Sequence, residues 1–288
     1  NGATIVVISH DDLLDARRLR TRLDACGVTL AFLTTALFDH LARHDPDMFG
    51  GLRTLAVGGE QMRPAGVRAV LQSATPPQRL VNVYRPTEAT TFSCSRPVTH
   101  LAIDAVRVPI GHPLLQTELA VVDEHGARVP AGSTGELWIA GSGLACGYLG
   151  DAEATNHAFV DASLPGLLGS RWYRTGDLAV QRANGEFECL GRIDRQLKVN
   201  GHRIEPAEVE RAIQTIDGVN AAAVVAQPKG TSTRLLGFVV ADGSITASDI
   251  SAGLAATLHA FMRPSRVLLV DSLPITANGK LDEAALLG

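Results

Sequence analysis

The run GRIDRQLKVNGHRIEPAEVE, Gly191 to Glu210, is polar, punctuated by glycine, and feeds directly into an amphipathic helix. Pro206 stands where a first helical residue belongs, because that position needs no backbone donor and the ring presets φ. Val209, Ala212, Ile213 and Ile216 recur at helical spacing and make one apolar stripe. A polar joint followed by a well-started helix marks the beginning of a new folding unit near Asp194. Taken by itself, the run also reads as an ordinary charged interdomain linker.

Downstream of it, AAAVVAQ (Ala221–Gln227), TRLLGFVVAD (Thr233–Asp242) and RVLLVDSL (Arg266–Leu273) read as strands. Thr246 with Asp249 three residues on predicts a capping box for a helix through Leu254 and Leu258. Residues 194–288 are therefore expected to form a small α+β domain. Upstream, residues 104–193 are rich in short strands and turns, with hairpin turns at Glu124-His125-Gly126 and Ala183-Asn184-Gly185. An antiparallel, barrel-like subdomain is expected there, with a helix over Asp151–Phe159. Residues 1–103 alternate strand and helix patterns: strands at Thr4–Ser9, Val28–Thr34, Arg53–Gly59 and Arg79–Tyr84, with helices between. That alternation predicts an α/β parallel sheet covered by helices, with ligands beyond the carboxyl ends of its strands.

The chain has 288 residues, 45% hydrophobic and 19% charged, and a net charge of −4. There is no basic footprint for nucleic acid. No apolar run approaches the roughly 18 residues that span a bilayer, so no membrane role is expected. The start, NGATIVVISHDD, lacks the flanks of a secretory signal. Four scattered cysteines without a CxxC point to reduced thiols and a cytoplasmic setting.

Several short stretches carry candidate chemistry. Tyr84-Arg85-Pro86-Thr87-Glu88 follows a strand: the ring offers a face to a base, the threonine a hydroxyl to a phosphate, and the carboxylate a hard oxygen for Mg²⁺. It reads equally as a strand-ending turn set by Pro86. In Tyr173-Arg174-Thr175-Gly176-Asp177 the aspartate suits two ribose hydroxyls, or simply caps its own backbone. Asn278-Gly279-Lys280 is by itself an ordinary turn with a lysine at its tip. No GxxxxGK[ST] loop occurs.

Taken together, VNVYRPTEATTF (Val81–Phe92), WYRTGDLAV (Trp172–Val180), Gly191–Glu210 and LPITANGKLD (Leu273–Asp282) resemble the adenylate-forming enzymes, most closely the adenylation domain of a nonribosomal peptide synthetase. The resemblance spans essentially the whole chain but only the later part of such a domain; the family's phosphate loop and amine-binding segment are not in it. It implies a partial adenylate-forming fold: a large core (1–193) and a C-terminal lid (194–288). It also implies ATP-dependent amino-acid activation with Mg²⁺, the aminoacyl group passing to the phosphopantetheine thiol of a carrier protein, with an MbtH-like helper protein as a further candidate partner. On that resemblance Lys280, Glu88 (the Mg²⁺ ligand) and Thr87 are catalytic. Asn82, Val83, Tyr84, Gly59, Glu60, Asp177 and Arg192 bind the nucleotide, and Asp194 is the hinge. The chain departs from the family pattern at Arg85, where glycine is usual, and at Cys146 and Asn200, where arginine is usual. A positive φ at position 85 would strain the arginine.

The positions that line the family's substrate pocket are Phe32, Ala56, Gly58, Val83, Thr91 and Phe92, with Lys280. Apart from Thr91 and Lys280 these side chains are apolar, and an apolar pocket with no internal charge implies a branched aliphatic side chain such as valine or isoleucine. Two other readings stay open. One is an acyl-CoA ligase or luciferase-like relative, against which Gln196 and HRIEPAEVE weigh. The other is an incomplete fragment or interaction module.

Overall fold

The computed structural model describes residues 2–199, 201–229, 232–275 and 281–288. They divide into two compact units, Asn1–Asp194 and Arg195–Gly288.

The first unit opens with α1 (His10–Leu14) and α2 (Ala16–Ala25). Asp15 separates them, because its carboxylate accepts from the backbone N–H groups of Arg17 (2.9 Å) and Arg18 (3.1 Å) and caps the second helix. The strand expected at Thr4–Ser9 does not form. No strand pairs with that run among the described residues, and Ile5 and Val7 stand 89% and 81% exposed. An apolar run becomes a strand only when a neighbour takes up its backbone groups.

β1 (Leu30–Thr34), α3 (Thr35–His44), β2 (Thr54–Gly58), α4 (Pro64–Leu71) and β3 (Leu80–Tyr84) follow, and the three strands pair in parallel. β4 (Cys94–Pro97) then pairs antiparallel with β3, and β5 (His112–Pro113) antiparallel with β4, so the sheet is mixed, in order β1 to β5. The helices α3 and α4 provide the crossovers that parallel pairing requires. The short link from β3 to β4 has no room for one. Phe38, Leu41, Phe49, Leu55, Val57, Val67 and Val70 form the apolar layer between helices and sheet.

The second half of this unit is a curled antiparallel sheet. It comprises β6 (Thr117–Val122), β7 (Thr134–Gly141), β8 (Phe159–Asp161), β9 (Arg171–Gln181) and β10 (Phe187–Arg192), with α5 (Ala152–Ala158) before β8. Strand order is β10-β9-β7-β6, with β8 also on β9. The expected hairpin turns are present: Gly126 and Gly185 have φ of +77° and +84°.

The second unit contains β11 (Leu197–Val199), β12 (His202–Ile204), α6 (Pro206–Gln214), β13 (Val219–Lys229), β14 (Ser232–Ala241), α7 (Ala247–Thr257), β15 (Arg266–Leu269) and α8 (Glu283–Leu287). β13 and β14 pair antiparallel, and β15 joins β14 in parallel. Val209 and Ile213 of α6, with Ile250 and Leu254 of α7, pack on Val224 and Val239 of the sheet. α7 carries the expected capping box between Thr246 and Asp249. Among the described residues no helix is long and apolar enough to cross a membrane.

Candidate functional site

Parallel register aligns the sheet's open face. Phe32 lies beside Ala56, and Ala56 beside Val81; Thr34 lies beside Gly58, and Gly58 beside Val83. Side chains alternate across a strand, so these residues share one face while Leu33, Leu55, Val57 and Leu80 turn into the helical core. Phe92 reaches the same face, its ring centroid 5.7 Å from that of Phe32. Phe32, Ala56, Gly58, Val83 and Phe92 are thus brought together, with exposed Thr91 at the margin. Gly58 must be glycine, since a Cβ there would come 2.3 Å from the Val83 carbonyl oxygen.

The turn after β3 bends sharply. Arg85 does not take the strained backbone; Thr90 and Thr91 do, with φ of +46° and +61°. Left-handed backbone is costly for β-branched residues, and such strain clusters at functional sites. The turn is held from outside: Thr90 Oγ1 donates to the Gly143 carbonyl (2.6 Å), and Ala145 N–H donates to the Glu88 carbonyl (2.8 Å). The segment Gly141–Tyr148 therefore supports this loop. It also contributes Tyr148, whose hydroxyl donates to Glu88 Oε1 at 2.6 Å. Glu88 is buried, while Thr87 is exposed.

A second cluster joins the two halves of the unit. Tyr84 donates its hydroxyl to Asp177 Oδ2, and Arg192 Nη1 donates to Asp177 Oδ1 at 3.0 Å. Burial, and then the Asp177 charge, push the Tyr84 phenol well above its ordinary range, so it stays a donor. Arg192 also donates to the Thr175 carbonyl (2.6 Å) and, through Nε, to Asp194 Oδ1 (2.8 Å). Glu136 braces the neighbouring turn: its Oε1 accepts from Gly176 N–H (3.0 Å), and its Oε2 from Trp138 Nε1 (2.9 Å). Sequence reasoning missed Tyr148 and Glu136 as site residues. Their partners Glu88 and Gly176 lie 60 and 40 residues away in the chain, so local sequence does not announce them.

Tyr84, Asp177, Arg192 and Asp194 converge as one network. Gly59, with φ of +105°, and Glu60 follow the end of β2. Asn82 is not brought to the crevice. It is 3% exposed, and its Nδ2 donates to the Pro109 carbonyl at 2.8 Å, which makes it a brace beneath the sheet. Lys280, like Asn200, lies outside the described residues. Among the described residues no group of three or more His, Cys, Asp or Glu side chains is placed to hold a metal. A single buried carboxylate at Glu88 fits Mg²⁺ carried with a nucleotide, because Mg²⁺ keeps waters and phosphate oxygens and needs only one or two protein carboxylates.

A model of the AMP-binding enzyme family matches residues 1–149, and a model of the AMP-binding enzyme C-terminal domain matches residues 208–280. The chain belongs to the AMP-binding enzyme family. Surfactin synthase subunit 1 of Bacillus subtilis (strain 168) is 38% identical over 287 residues, which are 99% of this chain and 8% of that protein. Tyrocidine synthase 3 of Brevibacillus parabrevis is 37% identical over 289 residues, 99% of this chain and 4% of that protein. The AMP-binding chain thus spans less than a tenth of either relative. A solved structure of an NRPS protein containing adenylation and PCP domains, bound to a vinylsulfonamide inhibitor, superposes with a TM-score of 0.85 at 35% identity. The superposition covers 95% of this chain and 47% of that one. The fold of this AMP-binding chain is accordingly a partial adenylate-forming fold.

Proposed function

We propose that this chain is the later part of an adenylation domain that activates an amino acid with ATP and passes it to a carrier-protein thiol. The observation that carries the reading is the Tyr84–Asp177–Arg192 network beyond the end of a parallel strand, in a chain of the AMP-binding family. Asp177 offers carboxylate oxygens to ribose hydroxyls, and Arg192 holds that carboxylate in place. A substrate carboxylate oxygen forms a bond to the α-phosphorus, the α–β phosphate bond breaks, and pyrophosphate leaves. The thiol of a phosphopantetheine arm then attacks the acyl carbon and AMP departs. Glu88 is the residue that would hold Mg²⁺, whose chemistry is to neutralise phosphate charge. Thr87, Gly59 and Glu60 border the phosphate and base, Asp194 is the hinge residue, and an MbtH-like protein is a candidate helper.

The apolar face of Phe32, Ala56, Val83 and Phe92 supports a branched aliphatic side chain, because these four side chains offer a charged one neither a counter-ion nor a hydrogen bond. One methylene is worth only about 1–3 kcal/mol in such a pocket, so valine and isoleucine are both accepted. Amino-acid-dependent ATP–pyrophosphate exchange by the full-length polypeptide tests the reading; strongest exchange with aspartate, lysine or arginine would end the aliphatic assignment. Lys280→Ala is expected to lower exchange by about 10²–10³-fold, the usual loss when one preorganised charge stabiliser is removed. Near-normal exchange would take Lys280 out of the mechanism.

A further inference from the structure

Among the described residues, the open sheet face carries a cation that the apolar reading of the pocket does not use. Arg85 follows β3 at the position where the family pattern has glycine. Its guanidinium carbon lies 5.4 Å from the centroid of the Phe32 ring. Its Nη1 lies 3.8 Å from where a Cβ on Gly59 would be. The residue is half-buried, and among the described residues it makes no hydrogen bond or ion pair. A guanidinium offers five donors in a fork that matches a carboxylate, and stacking on an aromatic face leaves that fork open at its edge.

We infer that Arg85 anchors the reacting carboxylate of the amino-acid substrate. This rests on the adenylation reading above. Phe32, Val83 and Phe92 mark where the side chain lies, and Gly59 begins the segment assigned to the nucleotide. Arg85 touches both Phe32 and the space over Gly59, so it stands at the junction where an acyl carboxylate meets an α-phosphate. Tyr84, Asp177 and Arg192 form their own network, in which Arg85 makes no hydrogen bond or ion pair. An apolar side chain seated on Phe32 would bring its charged end to the guanidinium, with the carboxylate drawn in and the ammonium turned away. The cation then orients a zwitterion without favouring any particular side chain.

The test uses the full-length polypeptide and the amino acid that gives the strongest exchange, with L-valine first, alongside the corresponding amino alcohol (L-valinol for valine), which lacks the carboxylate. Arg85→Met is expected to raise the KM for the amino acid at least tenfold, the scale of a lost charge-assisted hydrogen bond. The KM for ATP is expected to stay within twofold, and kcat to change less than KM. Arg85→Lys restores part of the loss. The amino alcohol, measured as a competitive inhibitor, binds Arg85→Met and the parent protein equally, which also shows that the variant is folded. Equal weakening of amino acid and amino alcohol would overturn the inference, because Arg85 would then merely shape the pocket. A rise confined to the KM for ATP would overturn it in favour of a phosphate contact. A switch in preference among side chains would overturn it in favour of a side-chain selector. Absence of exchange by the parent protein with every amino acid is instead the failure of the adenylation reading, and the inference falls with it.

Discussion

Gly176 has φ of +68°, and a Cβ added there would lie 2.6 Å from Arg192 Nη2 and 2.8 Å from Asp194 Oδ2. Gly176→Ala therefore combines left-handed strain with a clash against the arginine that holds Asp177. A stability loss of about 1–2 kcal/mol is expected from the backbone alone. Displacement of Arg192 should also weaken AMP binding, read by calorimetric titration beside the melting temperature. Asp39 makes a different kind of prediction. Its side chain is 3% exposed, with Arg63 Nε at 3.3 Å from Oδ2. Burial pushes its carboxyl from the ordinary 3.8 up to about 6, against the pull of Arg63 and Arg43. A pKa higher in the folded than in the unfolded chain means that folding binds a proton. The stabilisation is therefore complete below about pH 3.8 and is lost as pH rises to about 6, an effect of at most about 3 kcal/mol. Asp39→Asn should flatten the dependence of melting temperature on pH between 4 and 6; an unchanged slope would assign it to other groups. Nothing in the local sequence around Asp39 announces this, since its burial comes from elements packed over α3.

At the scale of elements, α7 is pinned by reciprocal capping. Thr246 Oγ1 accepts from Asp249 N–H (3.3 Å), while Asp249 Oδ2 accepts from Thr246 N–H (3.0 Å). Thr246→Ala should cost about 1 kcal/mol by thermal or denaturant unfolding. Because the two side chains work as a pair, Thr246→Ala with Asp249→Ala should cost less than the sum of the single changes. This device was legible in the sequence, for a capping box is set by residues three apart. The strand expected at Thr4–Ser9 was not, for a strand depends on a neighbour that periodicity does not supply. The consequence lies at β1, the end strand of its sheet, where Leu30 is 64% exposed and shares a hollow with Ile5, itself 89% exposed. Apolar sheet edges recruit other strands. The 288-residue chain on its own is expected to self-associate by light scattering, and Leu30→Lys should reduce that while leaving the melting temperature within about 1 kcal/mol-equivalent of the parent.

At the scale of the whole molecule, each unit owns its core, one around Phe38, Leu55 and Val67 and another around Ile213, Val239 and Leu254. Calorimetry is expected to resolve two transitions. Ile213→Ala, which truncates a fully buried side chain, should lower only the one belonging to residues 195–288, by about 2–4 kcal/mol. By itself the sequence determined the alternation of β1, α3, β2, α4 and β3, the capping box of α7, the glycine turns at Gly126 and Gly185, and the family. Helical and strand periodicities, capping spacings and short motifs are local, and each is written in a few neighbouring residues. Only the tertiary structure decided that β3 turns from parallel to antiparallel partners, and that Asn82 braces the sheet from below. It alone joined Tyr148 to Glu88 across 60 intervening steps of chain and laid Arg85 over Phe32. Those outcomes depend on which distant backbone lies alongside, and the partners that satisfy a buried amide, a carboxylate or a guanidinium are chosen by packing in space.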